Sequence, residues 1–98
     1  MPKKLDVKYL SKLKGHHLFN YSKSELRRFK DLALRGQKIE EIDVKLFINL
    51  TNLTRLDLSN NMLVRLDASI FDQLTSLEVL NLAKNRIEEI DSKLFQNL

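Results

Sequence analysis

The chain reads as an α/β solenoid built from repeats, with short parallel strands on a concave face and short helices or turns on a convex one. Two observations predict this. From Leu26 onward the sequence repeats every 24 residues, with Leu26, Leu50, Leu74 and Leu98 opening successive units. Apolar residues also recur at fixed offsets inside each unit: Phe29, Leu53 and Leu77; Leu32, Leu56 and Leu80; Leu34, Leu58 and Leu82; Ile39, Leu63 and Ile87; Ile42, Leu66 and Ile90; Phe47, Phe71 and Phe95. A period of this length marks units that cannot bury their apolar side alone and must lean on neighbours. Function then belongs on a repeated surface.

Each element follows from the pattern. The alternation Leu56-Asp57-Leu58 sends two leucines to one face and a polar residue to the other, as in a half-buried strand. Such strands stack about 4.8 Å apart. Asn61 and Asn85 sit where the chain leaves the sheet, and an amide there has both donors and acceptors for backbone groups that the turn leaves unpaired. Leu63 and Leu66, or Ile87 and Ile90, then close the core from the far side. Asp43, Asp67 and Asp91 follow, each placed to cap a short helix or helical turn on the convex side. They lack the adjacent ligands that a metal site needs, so capping is the role assigned to them.

The stretches 50–63 (LTNLTRLDLSNNML) and 74–87 (LTSLEVLNLAKNRI) both satisfy L-x-x-L-x-x-L-x-L-x-x-N-x-L. In this the chain resembles the leucine-rich repeat family over Leu26 to Leu98. The resemblance implies a non-enzymatic scaffold that binds another protein through the concave face. The family often has proline where this chain has its capping aspartates.

The domain organisation expected is one leucine-rich repeat domain over 1–98, with full repeats at 26–49, 50–73 and 74–97 and residue 98 opening a truncated further unit. Residues 1–25 form an N-terminal cap or a degenerate repeat, and two readings stay open. Leu13-Lys-Gly15-His16-His17-Leu18-Phe-Asn-Tyr21-Ser22 aligns with Leu34 to Asp43 at an offset of 21 residues, as a worn repeat would. Alternatively, Asp6 caps a helix with Leu5, Tyr9 and Leu13 on one side. The two coexist if the helix ends at Lys14. Ser22 and Glu25 have capping-box spacing under either reading. The stretches 39–50 and 87–98 differ only at Val44 versus Ser92 and Ile48 versus Gln96, the mark of repeat duplication.

At 98 residues, four thin units leave little depth of core. The last layer, with Leu77, Leu80, Leu82, Ile87 and Phe95, is expected to be open. Such an end is covered by further units or by pairing into a dimer through the open C-terminal end. There is no cysteine, hence no disulfide cap or thiolate metal site. Secreted members of the family usually carry cysteine-rich caps. Met1 to Lys8 lacks the apolar stretch of a secretory signal, and no run approaches a membrane span. The expected location is intracellular, cytoplasmic or nuclear. Against this stand sequons at Asn20, Asn49 and Asn52.

Charge is uneven: residues 1–35 carry ten Lys or Arg and three acidic residues, whereas residues 36–98 carry seven and ten. The plain reading is a solvated basic cap. The sharper one brings Lys3, Lys4, Lys8, Lys12, Lys14, Lys23, Arg27 and Arg28 to an acidic partner or nucleic acid, with Tyr9, Phe19 and Tyr21 interleaved for stacking. His16 falls in the asparagine column, where a turn hydrogen bond is its expected role, and His17 faces solvent. No catalytic set, cofactor motif or metal cluster can be assembled, so an enzyme is not expected.

Across the units, the outward positions of the strands form rows: Asp31, Arg55 and Val79; Ala33, Asp57 and Asn81; Arg35, Ser59 and Ala83; Gly36, Asn60 and Lys84. Asp31, Arg35, Arg55, Asp57, Ser59, Val79, Asn81 and Lys84 are the candidate partner-binding residues. The competing reading is that Arg55 simply pairs with its neighbours Asp31 and Asp57. Three functions follow: a protein-interaction scaffold, a chromatin- or nucleic-acid-associated adaptor using the basic N-terminus, and an extracellular receptor fragment.

Overall fold

The computed structural model describes residues 3–13, 21–67, 69–88 and 94. Three strands, β2 (Asp31–Ala33), β4 (Arg55–Asp57) and β5 (Val79–Asn81), form one parallel sheet in the order β2-β4-β5. Their register pairs Leu32 with Leu56 and Leu56 with Leu80, so the 24-residue period becomes a straight column of leucines. Leu34 and Leu58 run beside it, and all of these except Leu80 and Leu82 are fully buried. Each buried leucine contributes roughly 1.5–3 kcal/mol. Further along each unit, Phe47 and Phe71 stack with ring centroids 6.0 Å apart and no exposure.

The turn out of the sheet is held by asparagine. The Oδ1 atom of Asn61 accepts from Gln37 N and Ile39 N, both at 3.0 Å, while its Nδ2 donates to Leu34 O, Leu58 O and Ser59 O. One amide thus joins the first unit to the second, and at 6% exposure no water competes for it. Asn85 repeats the arrangement one unit later, accepting from Leu63 N and donating to Leu58 O, Leu82 O and Ala83 O. The residue before it in each unit adopts positive φ: Gly36 at 69°, Asn60 at 54° and Lys84 at 55°. Gly36 meets that demand without a side chain, and a Cβ added there would touch nothing within 4 Å.

On the far side, Asp43 starts α3 (Val44–Phe47), its carboxylate accepting from Lys45 N. Asp67 accepts from the backbone and the hydroxyl of Ser69, and turns rather than a helix follow. Asp91 lies outside the described residues.

The N-terminal segment starts with the helix of the second reading. Helix α1 (Val7–Leu13) starts on Asp6, whose carboxylate accepts from Tyr9 N at 2.8 Å. Leu13 therefore lies in a helix and not on a strand like Leu34, and it is 41% exposed instead of packing with Leu5 and Tyr9. Leu10 and Ser11 take the buried side. Helix α2 (Lys23–Leu26) follows the full capping box of Ser22 and Glu25 and so resembles α3 in its start. The intervening part of the worn-repeat alignment, including His16 and His17, lies outside the described residues.

One pairing was not anticipated from sequence. β1 (Lys4–Leu5) runs parallel to β3 (Glu41–Ile42), with Glu40 N and Glu41 N donating to Lys3 O and Asp43 N to Leu5 O. Further bonds fasten the cap. Tyr9 donates its hydroxyl to Gln37 Oε1 at 3.0 Å, and Ser11 donates to Val7 O while accepting from Tyr21 N. Lys3 Nζ lies 5.0 Å from the Tyr9 ring centroid, a cation–π contact.

Candidate functional site

The strands β2, β4 and β5 turn their leucines inward, so the intervening residues face outward in rows across the sheet. A depression of about 220 Å³ on this face is lined by Asp31, Ala33, Arg55, Leu56, Asp57, Val79 and Asn81. Five of the eight candidate residues, Asp31, Arg55, Asp57, Val79 and Asn81, therefore meet at one place. Arg35 and Lys84 are exposed but not part of its lining.

Ser59 requires a correction. At 2% exposure it cannot touch a partner. Its hydroxyl and its backbone N–H both donate to Asp57 Oδ1, at 2.6 and 2.9 Å, so the serine folds back onto the strand it follows. Those two bonds, and the nearby Arg35 guanidinium, hold the Asp57 carboxyl below its ordinary pKa despite the opposing effect of burial. Ser59 thus fixes the orientation of an anion on the face. Asn81 makes the same kind of local bond, accepting from Ala83 N at 3.0 Å.

Arg55 stands in the middle of this depression, and among the described residues no ion pair ties it to Asp31 or Asp57. The direct pairing of the competing reading is therefore not present among the described residues, although both carboxylates line the same depression. Arg35 is engaged elsewhere: its Nε and Nη2 lie 3.1 and 3.3 Å from the Asn60 side-chain oxygen once that amide is turned toward them. Among the described residues, the outward face thus holds the fixed Asp57 carboxylate, the Arg55 guanidinium without an ion pair, and Val79, which is 48% exposed.

The basic N-terminal region differs from its sequence reading in one respect. Lys3, Lys4, Lys8, Lys12, Lys23, Arg27 and Arg28 are all exposed. The aromatics are not free for stacking. Tyr9 is occupied by Lys3 and Gln37, and Tyr21 meets Phe29 edge-on at 5.3 Å. Lys14 and Phe19 lie outside the described residues. Of the sequon asparagines, Asn52 is exposed and donates one N–H of its side-chain amide to Arg27 O at 2.8 Å.

Sequence reasoning missed a groove beside β3. Two adjoining depressions of about 320 and 290 Å³ share Glu41 and Arg65, with Glu40, Asp67, Lys4 and Arg86 among their other linings. Its charges of both signs balance. The only signal in the sequence was the acidic stretch 39–43 beside the Arg65 and Asp67 of the next unit, which reads equally well as a solvated edge. Among the described residues, no group of three or more His, Asp or Glu side chains is placed to hold a metal ion.

Among known proteins, the family model described as Leucine rich repeat matches residues 27–87 and again 60–98. No curated protein matches the chain. With the matched region spanning most of the sequence and the asparagine-turned parallel strands in register, the chain belongs to the leucine-rich repeat family.

Proposed function

We propose that the chain is a leucine-rich repeat solenoid that acts as a non-enzymatic protein-interaction scaffold, binding its partner on the concave face of β2, β4 and β5. The observation that carries this reading is the unpaired Arg55 in a depression that also holds the oriented Asp57 and the exposed Val79. A guanidinium free of ion-pair partners among the described residues is ready to take a carboxylate from another chain in bidentate fashion, with Val79 beside it for an apolar side chain. With only three strands of contact the affinity is modest. Asp31, Arg55, Asp57, Val79 and Asn81 are the contact residues, Arg35 and Lys84 flank them, and Ser59 supports Asp57.

The test is affinity capture from cells with the wild-type chain, with Arg55→Glu and with Lys8→Glu/Lys12→Glu, followed by titration of each recovered partner. Loss of binding in Arg55→Glu alone supports the concave face. Retention of every partner by Arg55→Glu refutes it.

A second reading has its own support: seven exposed cations around α1 and α2 make a strongly positive end. There the chain takes an acidic partner or the phosphates of a nucleic acid, a binding that weakens steeply with salt. The occupied tyrosines favour contact by charge over stacking of bases. The proposed location is the cytoplasm or nucleus, in keeping with the cysteine-free composition. Imaging of a tagged chain tests it, and a secreted product would refute it.

A further inference from the structure

The stretches 39–50 and 87–98 are identical except that Val44 and Ile48 of the first stand as Ser92 and Gln96 in the second. The structure gives those two positions a common property. Val44 opens α3 and Ile48 caps its end, four residues apart and so on one side of the helical turn. Both are exposed, at 42% and 51%, while Leu46 and Phe47 take the inner side and are fully buried. The second stretch keeps each residue equivalent to the buried Leu46, Phe47 and Leu50, and the middle unit has Ala68 and Asp72 at the two places. Packing a unit therefore does not call for large apolar side chains there. A lone apolar residue in water is ordinary, but a pair on one helical face, found in one unit of three, marks a surface made to be covered.

Charge points to what covers it. Val44 also lines the smaller depression beside β3, of about 290 Å³, together with the buried Ile70 and the charged Lys4, Glu41, Arg65 and Asp67. The β1–β3 register sets Lys4 beside Glu41, and the 24-residue period sets Arg65 on its other side, so one carboxylate lies between two cations. Asp67 already accepts from the N–H and the hydroxyl of Ser69, and Asp43, next to Val44, accepts from Lys45 N. Lys45 adds a third exposed cation, and among the described residues none of the three is in an ion pair. Donors are in surplus around an apolar centre. We propose that this surface takes a short segment of another protein, which lays an apolar side chain on Val44 and Ile48 and brings a neighbouring carboxylate to Arg65 and Lys4. A second copy of the chain fits less well, because a two-fold contact would gather Lys4, Lys45 and Arg65 of both copies around the same centre. The inference is independent of the concave-face reading, since it uses none of the outward rows of the sheet.

The repeat itself supplies the test variant. Val44→Ser combined with Ile48→Gln gives the first unit the side chains that the third carries, and circular dichroism should show the fold unchanged. Random linear peptides displayed on phage are selected on the unmodified chain and counter-selected on this double variant. The surviving sequences should combine Leu, Ile, Val or Phe with a nearby Asp or Glu. In calorimetry, a synthetic copy of the best of them should lose about tenfold or more in affinity for the double variant, and as much for the singly substituted Arg65→Glu. Arg55→Glu, on the sheet, should bind it as the unmodified chain does. The proposal is overturned if no sequence separates the two chains, if the separating sequences are basic, or if Arg65→Glu binds undiminished. A dimer of the unmodified chain in sedimentation equilibrium that the double variant abolishes also overturns it, because a second copy then covers the patch.

Discussion

Leu32 and Leu80 hold the same place in the repeat and the same register in the sheet, yet Leu32 is fully buried and Leu80 is only partly buried. The difference lies in their neighbours. Before the first unit come β1, α1 and α2, which bring Leu5, Leu10 and Leu26 into the core and lock on through Tyr9, Ser11 and the β1–β3 pairing. Within the third unit, Leu77, Leu80, Leu82 and Ile87 are only partly buried among the described residues. A repeat unit is thus no more stable than the company it keeps, which is the physical meaning of a fold built from nearest-neighbour contacts.

Substitution within the leucine column gives the largest expected contrast. Leu56→Ala should cost about 2–5 kcal/mol, and Leu80→Ala less, because part of its surface already meets water. Urea unfolding of the two variants measures this, and equal losses would remove the distinction between the ends. The asparagines give the next contrast. Asn61→Ala strands buried backbone groups of two units and should cost about 3 kcal/mol, while Asn85→Ala, in a half-exposed turn, should cost about 1–2 kcal/mol.

Smaller effects sharpen the picture of the sealed end. Tyr9→Phe removes the bond to Gln37 and keeps the ring, so the expected loss is about 1 kcal/mol, with amide exchange rising first in α1 and the turn at Gln37. The smallest effect concerns acid. Asp57 titrates below the ordinary aspartate value of 3.8 in the fold, so its contribution to stability is complete above that pH and is lost as pH falls through the lower folded value. Ser59→Ala should move the Asp57 carboxyl back toward 3.8 in an NMR titration and flatten that acid loss.

Much of the fold was legible because periodicity is a strong signal. The leucine columns, the turn asparagines and the Asp43 cap each announced themselves by recurrence. What recurred only once was hidden. β1 is two residues long and has no period to betray it. Leu13 looked like a core residue at helical spacing, but the helix turned Leu10 and Ser11 inward instead. At the candidate site, the rows were readable from strand alternation, whereas the burial of Ser59 was not. A short side-chain bond to Asp57 drew it in, and alternation carries no information about such local bonds.

The turn asparagine gives the molecule a direction. Asn61 ties off the bend of the unit before it, and Asn85 does the same for Leu63 in the second. Each loop is therefore knotted by a residue that leaves the ribosome about two dozen positions later, and order travels from the amino terminus one stitch behind synthesis. A cut placed between Ile39 and Asn61 would leave the first loop complete in sequence but without its fastening, so viable fragments have to end after an asparagine.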